Sequence, residues 1–507
     1  MPGGILQLVF QGAQDIYLTG NPTITYFKTV YKRHSPFGTE YIPLYFDPIP
    51  SFTPTQKNRG TCRINRNADL VHDTYLEYDL PAIYTNNKIP FGWCESVGTK
   101  IIDETSIRFD GTLIDTQKGD YLKVYTDLSK AGTDRGKYNF LTGNISQLKY
   151  SSQNLSDDIN TRELAILSYK LYIPFKFWFC NDTGSSIPLI ALQYNEVYLD
   201  VTFNQLNDLF RIGNPLVSPQ QLFGDYENSE FNLNIRNYLL SNGFDQTNVI
   251  YYFTNGNPIN VPNIISNYIF LGDDERQMFA QTSHEYLITQ TQYNLFQGLR
   301  IGPNSLYTNF SHPVIEIFWY LTKDDLFLRN DWYNFTGLTD KRSVEYYLEN
   351  LKNYTIEYFN PSLLDYVSNQ LTSLINATQE RTVLNLPLAR QGNFNNGYFN
   401  IMENFQPIFN NNDRAHVYDS NFYQWVSQYK YHTGISIDPV YVLSFGFDPE
   451  KIQPSGTQNF SRLDSQEFRL NIWNVFRVEE RFNCHMYARN YNVLRIIGGI
   501  GSTVFAN

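Results

Sequence analysis

The chain is 507 residues long, too long for one hydrophobic core. At about 150 residues per domain, or roughly 200–250 for an all-β unit, it divides into two or three domains. Aromatic residues reach 16% against 18% charged, which sets aside disorder for most of the chain and favours strands. Thirty-nine basic residues against 50 acidic leave a net charge of −11. That argues against nucleic acid as the main partner, because phosphate binding needs clustered Lys and Arg.

The N-terminus lacks the basic and apolar regions of a signal peptide. It is nonetheless apolar for a terminus: Ile5, Leu6, Leu8, Val9 and Phe10, then Ile16, Tyr17 and Leu18. A free tail of this kind is an aggregation liability. Either it packs on its own domain, or Ile5–Phe10 are assembly contacts with a neighbouring subunit or an underlying surface. Four scattered cysteines without a CxxC fit a reducing compartment.

Further along, Ser106–Asp110, the turn Asp110-Gly111 and Thr112–Asp115 read as a hairpin. Gly119–Leu128 reads as a helix, and 127–165 as a loop rich in Ser, Asn, Gly and Asp. Leu171–Phe179 is an aromatic strand in which Pro174 signals an edge or a bulge. Ile190–Tyr194 and Val197–Phe203 are further strands, followed by a polar loop at 204–263 and a helix at Asp274–Ala280. The most apolar run, Val314–Leu321, is eight residues and contains Glu316. A spanning helix needs about 20. Ile315–Leu321 is therefore a strand. The stretch 324–412 is long and rich in Asn and Tyr, with a helical patch at Ser343–Leu351. Val440–Phe445 and Phe468–Trp473 close the set. Strands dominate both halves, which predicts sandwiches. Connections as long as 127–165, 204–263 and 324–412 are projections from a scaffold. A boundary falls near 280–290. Asp274-Glu-Arg276 and Glu479-Glu-Arg481 are a faint internal echo.

No constellation carries chemistry. The seven histidines show neither HxH nor HExxH spacing, so no metal site is expected. Gly498-Gly-Ile-Gly501 lacks the following helix of a phosphate cradle and reads as a turn. There is no GxSxG elbow and no Walker lysine. The acid pairs Asp273-Asp274 and Glu479-Glu480 suit a glycosidase less well than solvated loops, with Arg276 pairing locally. Of eight N-x-S/T sequons, Asn144, Asn154, Asn334, Asn353 and Asn376 fall in the long loops and are the glycosylation candidates.

A family resemblance is more specific. Gly3-Gly-Ile-Leu-Gln-Leu-Val, Gly12-Ala-Gln-Asp-Ile-Tyr-Leu-Thr-Gly-Asn-Pro22 and Ile24–His34 resemble the opening of major capsid proteins of the nucleocytoplasmic large DNA viruses. Gly119-Asp-Tyr-Leu122, Leu171–Cys180, Leu189–Val197 and Tyr268–Arg276 are similar to later segments of that family. In the second half, Phe310–Val314, Gln453–Arg462 and Tyr487–Arg495 match closely, whereas 204–263 and 324–412 are expanded.

The resemblance implies an all-β double jelly roll, two consecutive eight-stranded antiparallel sandwiches with long loop insertions. An arm would occupy 1–27, the first domain 28–283 and the second 284–507. It implies a homotrimer forming a pseudo-hexagonal capsomer. Capsomers would tile an icosahedral shell, touching neighbouring capsomers, minor capsid proteins and an internal membrane. The chain would belong to the virion capsid, assemble in the host cytoplasm, and need no cofactor, catalysis or nucleic acid. Rival readings are a minor or vertex-associated capsid component, and a carbohydrate-binding or carbohydrate-cleaving sandwich.

Overall fold

A computed structural model describes Ile5, Leu8, Gly12 and residues 14–505, except 51, 54, 87–90, 150–154, 157–160, 213–249, 251–252, 256–259, 327–329, 338–399 and 474–478. Among the described residues, eight strands form the two main sheets of the first half, beside several strands of two to four residues: β1 Phe37–Leu44, β2 Asn58–Ile64, β3 Leu70–Leu80, β4 Ile102–Phe109, β5 Thr112–Lys118, β6 Tyr169–Pro174, β7 Val197–Phe203 and β8 Asn263–Leu271. They pair antiparallel as two sheets, β1-β8-β3-β6 and β2-β7-β4-β5.

The second half repeats these eight strands in its main sheets. Its members are β9 His284–Leu299, β10 Gly302–Tyr307, β11 Pro313–Lys323, β12 Met402–Phe409, β13 Asn412–Asp413, β14 Val440–Ser444, β15 Gln466–Ile472 and β16 Phe482–Ile497. The sheets are β9-β16-β11-β14 and β10-β15-β12-β13. Adding eight to each label of the first half gives the order of the second. That is jelly-roll topology twice. The short sequence echo does not mark the duplication, because Asp274–Arg276 follows β8 whereas Glu479–Arg481 precedes β16.

Side-chain alternation decides which face is buried. In β7, Val197, Leu199, Val201 and Phe203 are buried while Tyr198 and Thr202 stay partly exposed, the period of two expected of a half-covered strand. Asp200 lies on the outer face, held by Arg59 and Arg108, each at 2.8 Å. The second sandwich has its own aromatic core, where Trp319 stacks on Phe405 at 4.1 Å.

Strand direction sorts the loops. In an up-and-down antiparallel set, connections after odd strands leave at one end and those after even strands at the other. The elaborated stretches follow β5, β7 and β11, so all three begin at the same end. Contacts between the halves show that these ends are aligned. Trp332, beyond β11, donates its indole N–H to the Asp208 carbonyl, beyond β7, at 2.7 Å. At the opposite end, the Tyr194 N–H meets the Gly499 carbonyl at 3.0 Å.

Several elements depart from the sequence reading. Residues 190–194 form turns, not a strand. Here the Arg66 guanidinium binds the carbonyls of Leu192, Gln193 and Asn195, satisfying groups that a ladder would otherwise take. β6 stops at Pro174, although Phe175, Phe177, Trp178 and Phe179 remain buried beyond it. The predicted helix at 119–128 is α1 Gly119–Ser129, but the loop expected at 127–165 also holds α2 Gly132–Thr142. Gly132 and Gly136 hide α2 from propensity. Packing sustains it through the Tyr138 hydroxyl on the Leu122 carbonyl, and left-handed Gly143 ends it. The patch at Ser343–Leu351 lies outside the described residues.

α3, Asp273–Gln281, joins the halves. Asp273, Asp274 and Glu275 fill its first turn, where the helix dipole favours acids. Arg276 does not pair locally as expected. It grips buried Asp69 of the β2–β3 connection through two bonds of 3.0 Å. Arg276→Ala should lower stability, since the buried Asp69 carboxylate loses a bidentate partner. Urea denaturation checks this.

Candidate functional site: the seam between the halves and the exposed arm

α1 lies at the junction and supplies side chains to it. Tyr121 packs on Phe318 and Tyr487 of the second half, with ring centres 5.9 and 5.8 Å apart. The C-terminal carbonyls of α1 are completed from across the junction. The Gly434 N–H meets the Leu128 carbonyl at 2.8 Å, and the Thr433 hydroxyl meets the Ser129 carbonyl at 2.7 Å. A Cβ on Gly434 would sit 2.5–2.7 Å from three carbonyl oxygens of residues 127, 128 and 130, so only glycine allows this approach.

Two charged clusters line the seam. Glu316 of β11 binds Arg489 of β16 at 2.6 Å and His432 at 3.0 Å. His432 uses its other ring nitrogen on Glu450 at 3.0 Å, and Arg489 lies over the Tyr125 ring at 4.3 Å. Burial alone would raise the Glu316 carboxyl, but His432 and Arg489 outweigh it and hold it at about 2. Burial would likewise lower His432, but Glu316 and Glu450 push it up to about 9. The imidazole is therefore charged at neutral pH. In the second cluster, Lys123 of α1 reaches Asp127 at 2.9 Å and Asp438 of the second half at 3.2 Å.

Nearby, Asp115 at the end of the first hairpin accepts the Thr291 N–H at 2.9 Å and the Gln117 amide at 3.0 Å. Burial pushes its carboxyl up to about 7, despite these bonds. His485, behind Tyr293 and Tyr320, is pulled down by burial to about 4 and is neutral. Asp115 ties the first half to β9, and His485 ties neighbouring strands of one sheet. Among the described residues no cluster of His, Cys, Asp or Glu is arranged to hold a metal ion. The four cysteines are free thiols. Gly498 and Gly499 are the positive-φ turn between β16 and the short strand Ile500–Thr503, as expected. Of the acid pairs, Glu480 is taken by Lys323 at 2.9 Å.

The arm is different, because the described residues leave it uncovered. Every residue from Ile16 to Tyr41 is exposed. Tyr17, Tyr26 and Phe27 are at least 91% exposed. The described residues of the arm do not pack on their own domain. Of the predicted assembly contacts, Ile5 and Leu8 are exposed, while Leu6, Val9 and Phe10 lie outside the described residues.

The sequons separate as well. Asn334 is fully buried; its amide donates to Asp331 at 2.9 Å and its carbonyl accepts from Thr336. A glycan there would require the fold to open, so Asn334 is corrected from a candidate to a structural residue. Peptide mass spectrometry of the purified protein should find it unmodified. Asn144 is half-buried beside Asn139. Asn154, Asn353 and Asn376 lie outside the described residues.

Sequence reasoning overlooked the seam. Its one signal was a charge, Glu316, in the most apolar run of the chain, which marks a carboxylate that must be paired.

Comparison with solved structures defines the class. The PBCV-1 virus capsid structure superposes with a TM-score of 0.62, covering 95% of this chain and 100% of that chain at 23% identity. The Faustovirus major capsid protein gives 0.63, covering 96% and 94% at 11% identity. The fold is the double jelly roll of viral capsid proteins.

The sequence narrows this further. Residues 25–235 match the family described as Major capsid protein N-terminus, and residues 275–502 match Large eukaryotic DNA virus major capsid protein. The major capsid protein of Phaeocystis pouchetii virus is 29% identical and that of Pyramimonas orientalis virus 28%, each over all of both chains. Capsid protein 1 of Acanthamoeba polyphaga mimivirus is 27% identical, again over all of both. The chain belongs to the family of major capsid proteins of large eukaryotic DNA viruses.

Proposed function

We propose that three copies of this chain form a pseudo-hexagonal capsomer that tiles the icosahedral shell of a large double-stranded DNA virus. The role is structural, without catalysis. The observation that carries the reading is the strand-for-strand repeat with aligned ends. Two equivalent sandwiches side by side, taken three times around an axis, give six similar sides. The charged seam serves this role by fixing the angle between the two sandwiches, which a tile must hold constant.

In this reading the first domain ends at 283 and the second begins at 284. The end carrying the insertions faces outward, and the arm at 1–27 faces inward toward minor capsid proteins. Assembly takes place in the host cytoplasm. Quantitative mass spectrometry of purified particles tests the assignment. The chain should dominate virion protein by mass, whereas a minor or vertex-associated component would be rare.

A further inference from the structure

We propose that Lys123 of the first half condenses with Asp438 of the second, releasing one water and leaving an amide bond between the two sandwiches. Lys123 stands on α1. Asp438 lies between His432 and β14, 315 residues away in sequence. The Lys123 Nζ is 3.2 Å from Asp438 Oδ2, and the two side chains are only 3% and 5% exposed. Aromatic rings close the site, with Nζ 5.1 Å from the centre of the Tyr333 ring and 6.0 Å from that of Phe335.

Burial makes such a pair reactive. Away from water an ammonium and a carboxylate lose the solvation that favours their charges, and the neutral pair gains weight. In that form the amine is a nucleophile and the carboxylic acid can accept it. Contact held by the fold stands in for collision, an effective concentration of about 10⁵–10⁸ M for well-oriented groups. Condensation also removes two charges from a dry site.

A second carboxylate supplies the proton route. Glu95, 10% exposed, lies 3.7 Å from Nζ, close enough to carry a proton after a slight rotation. Nζ attacks Cγ of the protonated Asp438 carboxyl. Glu95 takes the proton that the nitrogen sheds and passes it to the departing hydroxyl. The C–N bond forms, the C–O bond breaks and water leaves. Glu95 ends as it began, and nothing is oxidised or reduced. Asp127 is nearer to Nζ, at 2.9 Å, but both of its oxygens are held by cations. Lys123 takes Oδ2 and Arg135 takes Oδ1 at 3.1 Å, so neither is placed to depart as water.

Mass spectrometry of the denatured full-length protein tests this. The wild type should be lighter than its sequence by one water. Trypsin should leave Lys123 uncut and release Gly119–Lys130 joined to Tyr431–Lys451 as one branched peptide. Glu95→Gln keeps the size of the side chain but cannot relay the proton. That variant should show its full mass and a cut after Lys123. A wild type of full mass overturns the proposal and leaves Lys123 and Asp438 as an ion pair, whether or not the variant folds. So does a missing water traced to a link within Gly119–Lys130, which would put the bond on Asp127 inside one half. A branched peptide that survives Glu95→Gln would overturn the role given to Glu95.

Discussion

Arg489→Met should lower the stability of the protein by about 3–5 kcal/mol, the cost of stripping a buried carboxylate of its partner. Glu316 is fully buried and has Arg489 at 2.6 Å. After the change only His432 faces it, and that imidazole is shared with Glu450. Changing Glu316→Leu together with Arg489→Met should cost less than Arg489→Met alone, because no uncompensated charge remains. Urea denaturation of the three proteins measures both differences. Equal losses for the single and double variants would show that the pair is not a buried, interdependent unit.

The same seam sets the pH response. His432 is raised to about 9 from an ordinary 6.5, so its stabilisation is complete below pH 6.5 and lost as pH rises through 9. Glu316 is lowered to about 2 from 4.5, so its stabilisation is complete above pH 4.5 and lost as pH falls through 2. Asp115 is raised to about 7 from 3.8, so folding is favoured by its protonated form and that advantage is lost as pH rises through 7. Stability should therefore decline in two stages as pH rises, the first between 3.8 and about 7 and the second between 6.5 and about 9. Asp115→Asn keeps an acceptor for the Thr291 N–H, removes the first step and should raise the melting temperature at pH 8. His432→Gln should flatten the second step.

Trp319→Ala is the other large expected effect, about 3–5 kcal/mol. Trp319 is fully buried in the second sandwich, with Phe405, Tyr423 and Tyr441 at ring distances of 4.1, 5.4 and 5.8 Å. Deleting the indole leaves a void among three rings, two held by strands of opposite sheets (Phe405 on β12, Tyr441 on β14) and one by the helical turn Phe422–Val426, so collapse is limited. The loss should appear as a lower denaturation midpoint with the slope unchanged. A loss under about 1 kcal/mol would mean that the site relaxes freely.

What could be read in advance was local. The alternation of Val197, Leu199, Val201 and Phe203 shows in any window, and Asp110-Gly111 announces the first hairpin, where Asp110 does take a positive φ of 49°. β16 was hidden for a physical reason. Its middle, Met486–Asn492, is buried on both faces because the other half covers it, and Asn490 and Asn492 sit inside by bonding Gln290. Alternation disappears where both faces are covered. Arg276 misled for a related reason: acids lie beside it in sequence, but its partner Asp69 is 207 residues away. No window contains that pair. The specific matches near Gln453–Arg462 and Tyr487–Arg495 identified the family where local patterns could not reach the long-range ties.

The account stands on assembly, and the mass of the protein in solution tests it most directly. One chain is 59.1 kDa. Multi-angle light scattering at decreasing concentration should report three times that mass, with no folded monomer before dissociation and unfolding set in together. A stable, folded species of 59.1 kDa at dilute concentration would contradict the trimeric capsomer.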